Sequence, residues 1–276
     1  MSEMRRVFIV VKTYPTISKK YDELVCTAGI LDDGRWVRIY PFPFRKLEYE
    51  NRYKKFQWIE LPLSRNLADV RPESYKVDDI TKAKPIGEPV GTGMAWAERK
   101  RIILEHNLVH EDLTSLIASA NANELSLAIF KPARIVDFRV EAVAREWSPE
   151  KLRDLDSKAR QMSLFQSSSE VKKEFAAVAK LPYKFSYRFE DSNGRESTMM
   201  IEDWEIGMLY WNCFKRSSGN EQKAVELVRR KYVDEFGSRD LHLFLGTTKK
   251  YHGWASNPFV IIGVFYPPHS EQGSLL

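Results

Sequence analysis

Lys12, Tyr14, Lys19, Lys20, Tyr21, Arg35, Arg38, Tyr40, Arg45 and Lys46 interleave cations with rings over one short stretch of the chain. Cations along a groove neutralise phosphates, and flat rings beside them stack on bases, so this set suits a nucleic acid. The bland alternative is a solvated surface with Trp36 in the core. A second set, Lys249, Lys250, Tyr251, His252 and Trp254, lies in the loop after Gly246-Thr247-Thr248. Two ammoniums and three rings in one loop could clamp a phosphate or a base. A surface loop with Trp254 tucked inward fits the same residues.

Other residue groups carry weaker chemistry. His106 and His110 are spaced i,i+4 and would share a face if both sat on one helix, as zinc ligands do. Asn107 and a break between two helices argue against that, and no metal is expected. Glu202, Asp203 and Glu205 cluster where a strand meets a helix, and Asp137 and Glu141 lie on one side of a strand. Paired carboxylates can hold Mg²⁺ for phosphodiester hydrolysis. Acidic residues at a helix start are also expected from the helix dipole alone. Cys26 and Cys213 fall in no CxxC or Cys/His cluster, which leaves no zinc framework and fits a reducing compartment. The sequence contains no P-loop, G-x-S-x-G or kinase motif, so no cofactor and no catalytic residue is assigned.

The elements that must position these residues can be read from periodicity. Val7-Phe8-Ile9-Val10-Val11 is a continuous apolar run and predicts a strand buried on both faces. Leu24–Leu31 and Arg35–Tyr40 flank Asp32-Asp33-Gly34 and predict a hairpin, with Trp36 and Arg38 on one face and Val37 and Ile39 on the other. A strand is expected over 57–63, then a long extended connection over 64–93, rich in Pro and Gly. Helices are expected from Ala95 to His106 and after Asp112, then a strand over 133–143. Ser148-Pro149 opens a further helix, and Gln166-Ser167-Ser168-Ser169 reads as linker. A second hairpin is expected over 184–201 around Asp191–Gly194. Helices over 202–216 and after Asn220 follow, then strands over 241–246 and 259–265.

The 276 residues suffice for one large domain or two small ones, and 43% hydrophobic with 29% charged is ordinary for a folded chain. The net charge of +5 raises the prospect of a polyanionic partner only modestly, because distribution matters more than the total. Nowhere do about 18 apolar residues run together, so a cytoplasmic protein with no membrane partner is expected.

Cys26-Thr27-Ala28-Gly29-Ile30, then Gly34-Arg35-Trp36-Val37-Arg38 and Pro41, resemble the opening of a bacterial family described as dual OB-fold proteins, with its C-x-A-G-I and G-x-W-[IV]-R-x-x-P motifs. Residues 56–63, Arg71-Pro72-Glu73-Ser74, 126–140 and 185–203 resemble later parts of that family. The resemblance implies two small barrels, a link to nucleic acid and a role as a subunit or sensor in a bacterial DNA-modification or defence system. It implies no catalytic residues.

The expected fold is therefore α+β and β-rich, with two small OB-like β-barrels elaborated with helices. An N-terminal OB-like barrel with a helical insertion is placed at 1–147 and a helical linker at 148–181. A C-terminal barrel-like domain with two helices is placed at 182–268, and a disordered tail at 269–276. The expected function is binding of DNA or RNA through Lys12, Tyr14, Lys19, Lys20, Tyr21, Arg35, Arg38, Arg45, Lys249, Lys250 and Trp254. A metal-dependent nuclease or base-modifying enzyme, and a scaffold for protein partners in a larger assembly, are the rival readings.

Overall fold

The structure is a computed structural model that describes residues 2–15, 25–42, 52–150, 153 and 179–269. The fold is α+β and rich in strands. Its first unit is a closed five-stranded barrel built from β1 (Glu3–Lys12), β2 (Val25–Leu31), β3 (Trp36–Phe42), β4 (Trp58–Arg65) and β5 (Ser74–Val77). The strands run β1-β2-β3-β5-β4 around the barrel, and β4 closes it by pairing with β1. All these pairings are antiparallel except β3 with β5. This is the order of a small OB-like barrel. The short β6 (Lys84–Ile86) adds to the β4 edge.

The region expected as a long extended connection thus holds β5 and β6. β5 is four residues long, and Ser74 and Lys76 interrupt its apolar pattern. What makes it a strand is pairing with β3 and β4, which local periodicity does not report. The β2–β3 hairpin forms as expected, with Gly34 at φ 84°.

The helix α1 (Gly93–Leu104) links the barrel to the second unit. Met94, Ala95 and Trp96 have positive φ, so right-handed helix starts only after Trp96, later than expected. Then come β7 (Val109–His110), α2 (Leu113–Asn121), β8 (Leu127–Phe130), β9 (Arg134–Ala142), β10 (Tyr183–Glu190) and β11 (Glu196–Met200). The helices α3 (Trp204–Arg216) and α4 (Glu221–Arg230) precede β12 (His242–Thr247) and β13 (Phe259–Phe265). Caps set the helix starts: Asp112 accepts from the Thr114 and Ser115 amides, Asp203 from Glu205 and Asn220 from Lys223.

β11-β10-β9 form one sheet and β13-β12-β8-β7 another, joined by a parallel bridge between Ile201 and Ile261. β8 pairs with β12 and β9 with β10, so the segment 109–147 builds the second unit. Its long-range partners lie more than 40 residues further on, beyond the 1–147 span expected for the N-terminal barrel. Most of the expected linker, and all of the tail beyond residue 269, lie outside the described residues.

Three apolar layers hold the fold together. Val7, Ile9, Val37, Ile39, Phe42 and Leu61 fill the barrel. Phe8, Val10, Ala28 and Ile30 point the other way, onto Ile129, Phe244, Ile262 and Phe265. Phe138, Phe185, Tyr187, Tyr210, Leu243 and Leu245 fill the second unit. This explains the unbroken apolar run of β1, in which Val7 through Val11 are all fully buried. Alternate residues serve two different cores, and each buried side chain of this size contributes about 1.5–3 kcal/mol. The outer face of β1, β2 and β3 is therefore covered by β8, β12 and β13.

Candidate ligand cleft and its basic-aromatic rim

On β3, alternation sends Val37 and Ile39 into the barrel and Trp36, Arg38 and Tyr40 outward. Outward here means towards the second unit. Trp36 meets Phe244 edge to face at 5.8 Å. Arg38 is only 2% exposed. Its Nη2 donates to the Ser126 carbonyl oxygen at 2.9 Å and to Ser126 Oγ at 3.2 Å, and Nη1 lies 3.5 Å from Cys26 Sγ. Its Nε has no partner among the described residues. Burial lowers the guanidinium pKa, yet an arginine stays charged in a protein. Among the described residues no carboxylate forms an ion pair with it. Glu73 reaches Arg38 through Ser126, whose Oγ donates to Glu73 Oε2 at 2.6 Å.

Arg71 stands beside it, donating to both carboxylate oxygens of Asp69 and, through Nη1, to the Thr247 carbonyl oxygen at 2.6 Å. Burial works against the Asp69 charge, but the Arg71 guanidinium outweighs it and holds the carboxyl at about 2. Tyr14, Arg38, Tyr40, Arg71, Glu202 and Lys249 line a half-open cleft of about 200 Å³ between the two units. Thr247 and Thr248 also line it, and neither hydroxyl has a partner among the described residues. Burial pushes the Glu202 carboxyl up.

The second basic set forms the rim. Lys249 Nζ donates to the Ala68 carbonyl oxygen at 2.6 Å. Lys250 Nζ sits 5.1 Å from the centre of the Tyr251 ring. Tyr251 and Trp254 lie 5.6 Å apart, and Trp254 Nε1 donates to the Lys250 carbonyl oxygen. Trp254 is 67% exposed, so it is not tucked inward. His252, by contrast, is buried and staples the loop, its Nε2 lying 2.7 Å from Asn123 Oδ1.

The structure thus brings Tyr14, Arg38 and Lys249 to one cleft, with Lys250 and Trp254 in the same loop as Lys249. Lys12 lies nearby on β1, its Nζ 4.0 Å from the centre of the Trp204 ring. Tyr14 is anchored by α3: its hydroxyl accepts from Trp211 Nε1 at 2.9 Å and donates to the Ala179 carbonyl oxygen at 2.8 Å. Arg35 stands apart. It is exposed, pairs with Asp33, and lines a different groove of about 400 Å³ with Trp36, Tyr75, His106 and His110. Arg38 corrects the expectation of a surface cation, because the sheet from the second unit covers the face on which it sits. Lys19, Lys20, Tyr21 and Arg45 lie outside the described residues. Arg71, Thr247 and Thr248 were missed. The signals for them were the place of Arg71 within the matched Arg71-Pro72-Glu73-Ser74 element and of the threonines just before Lys249.

The other candidate groups, Glu202 apart, are engaged in structure. His106 follows α1 and His110 is on β7, so the helical spacing does not apply. No group of three or more His, Cys, Asp or Glu that could hold a metal occurs among the described residues. Asp137 pairs with Arg139 and Arg229, and Glu141 with Lys184. Lys55, unremarked in the sequence, lies 3.6 Å from Asp203 and 2.6 Å from Glu205. Burial opposes the Lys55 charge, but the two carboxylates outweigh it and raise the ammonium pKa. Burial likewise pushes the Asp203 carboxyl up. No helix among the described residues is long and apolar enough to cross a membrane.

Residues 109–276 match a family described as Domain of unknown function (DUF8757), and residues 3–105 match a second, described as Domain of unknown function (DUF8758). The two matches meet between α1 and β7, where the barrel gives way to the second unit. No curated protein matches the chain.

Proposed function

The chain belongs to the DUF8757 family, and we propose that it binds single-stranded nucleic acid along the rim formed by the loop after β12. The observation that carries this reading is the exposed Tyr251–Trp254 pair, flanked in the same turn by Lys249 and Lys250. A tryptophan left two-thirds exposed forfeits much of its burial energy, and a surface ring beside ammonium groups is what base stacking and phosphate contacts use. In small barrels of this order nucleic acid commonly lies across the outer face of strands two and three. Here that face is buried under β8, β12 and β13, which moves the reading to the rim. The nuclease reading draws less support, because Asp137, Glu141, Asp203 and Glu205 are each engaged with Lys or Arg.

The test is fluorescence titration with a short labelled single strand at low salt, using wild type and Trp254→Ala. Loss of one stacked base costs about 1–3 kcal/mol, so affinity should fall roughly five- to 150-fold for the single strand and much less for a duplex of the same sequence. If the wild type shows no salt-sensitive binding to single-stranded DNA or RNA, the reading is wrong.

A further inference from the structure

A buried cation normally meets a carboxylate, because the cost of taking it out of water is several kcal/mol. Arg38 meets neutral groups: a carbonyl oxygen, a hydroxyl and a thiol. Among the described residues, two threonine hydroxyls on the same cleft also lack partners, and so does Arg38 Nε. Buried polar groups are rarely left unpaired, and three around one cleft call for a common explanation. Lys249 stands at the same cleft. Asp69 neutralises Arg71 directly, whereas Glu73 faces Arg38 only across Ser126, so Arg38 keeps no directly paired carboxylate among the described residues and Lys249 adds a further positive charge. Among the described residues the one carboxylate lining the cleft is Glu202, and burial pushes it towards the neutral form, which can donate a hydrogen bond.

We propose that the cleft between the barrel and the second unit is a binding site for a phosphate monoester. Arg38 and Lys249 supply the charge, and the Thr247 and Thr248 hydroxyls donate to phosphate oxygens. The cleft is larger than a phosphate group alone requires and leaves room for an attached sugar beside Tyr14 and Tyr40. Where the phosphate comes from rests on the reading above: the 5′-end of a strand lying on the rim, or a free nucleoside monophosphate.

The experiment is isothermal titration of the full chain with inorganic phosphate, against sodium chloride of matched ionic strength. Saturable binding is expected. Thr247→Val and Thr248→Val remove hydroxyls that have no partner among the described residues, so each variant should keep its thermal stability. Together they should weaken phosphate binding at least about tenfold, as hydrogen bonds to a charged group do. Arg38→Gln should abolish binding; should that variant fail to fold, the threonine variants decide alone. No saturable binding to wild type, or undiminished binding in the double threonine variant, overturns the proposal.

A second arm separates the sources, using two oligonucleotides that differ only in a 5′-phosphate or 5′-hydroxyl. Tighter binding of the phosphorylated strand, lost in the double variant, assigns the cleft to strand ends. Equal binding of the two strands, with a nucleoside monophosphate still bound, assigns it to the free nucleotide. Phosphate binding without oligonucleotide binding removes the single-strand reading and leaves the cleft site standing. Oligonucleotide binding without phosphate binding does the reverse.

Discussion

Arg38 Nη2 donates to the Ser126 carbonyl oxygen at 2.9 Å, across 88 residues of sequence. The bond ties β3 of the barrel to the residue just before β8 of the second unit. Ser126 in turn is held by Glu73, the residue just before β5, and its carbonyl also accepts from the Thr247 amide. One serine therefore joins three segments that are far apart in the chain, and the cleft opens beside it.

The rim lysines should reveal themselves through salt. Each phosphate contact removed lowers the slope of log affinity against log salt by about one unit. Changing Lys249 and Lys250 to Ala should therefore flatten the slope by up to about two, and should weaken binding to all sequences alike. An unchanged slope places the strand elsewhere on the molecule.

Gly34 should not tolerate a side chain. Its φ of 84° suits glycine, and a Cβ there would lie 2.5 Å from His106 Cβ. Strain and overlap act together, so Gly34→Val should cost about 2 kcal/mol or more in urea denaturation. The bend after α1, through the His106 side chain, is what crowds the hairpin, so His106→Gly should recover part of the loss.

Gly207 sets two effects against each other. Alanine is favoured over glycine inside a helix by about 1 kcal/mol. A Cβ at Gly207, however, would overlap the Tyr14 ring packed on that face of α3. Tyr14 is fixed by two hydrogen bonds through its hydroxyl and has little freedom to withdraw. Overpacking of this kind costs about 1–3 kcal/mol, so Gly207→Ala should destabilise the chain in thermal unfolding and displace one wall of the cleft.

Acid should weaken the loop that carries Arg71. The folded Asp69 carboxyl is held at about 2, below the roughly 3.9 of an unfolded aspartate. A depressed carboxylate contributes its full stabilisation above the unfolded value and loses it as pH falls through the folded one. Wild type should therefore lose stability between about pH 4 and pH 2 through this group, and Asp69→Asn should remove that part of the slope. Urea melts at stepped pH measure both curves.

Much of the secondary structure was legible because its causes are local. The apolar run of β1, Gly34 and Gly194 at the hairpin turns, and Asp112, Asp203 and Asn220 at helix starts each act within a few residues of themselves. β5 was not legible, since Ser74 and Lys76 pair by virtue of strands elsewhere. The cleft was half legible. Lys249, Trp254 and Tyr14 announce themselves as cations and rings, but Arg38 reads as a surface residue on any isolated barrel. Only the arrival of β12, some 200 residues later, makes that outward face an interior one. Lys55 was invisible for a related reason: lysine is exposed by default, and Asp203 and Glu205 reach it from 150 residues away.

The double allegiance of β1 bears on any attempt to work with half of this chain. An excised piece spanning residues 3–105 would keep its interior, Val7 and Ile9 included, yet would present Phe8, Val10, Ala28 and Ile30 to water as one sticky wall. Such a fragment is expected to self-associate. The intact chain should melt in a single calorimetric transition, because losing either half strips the other of a shared lining.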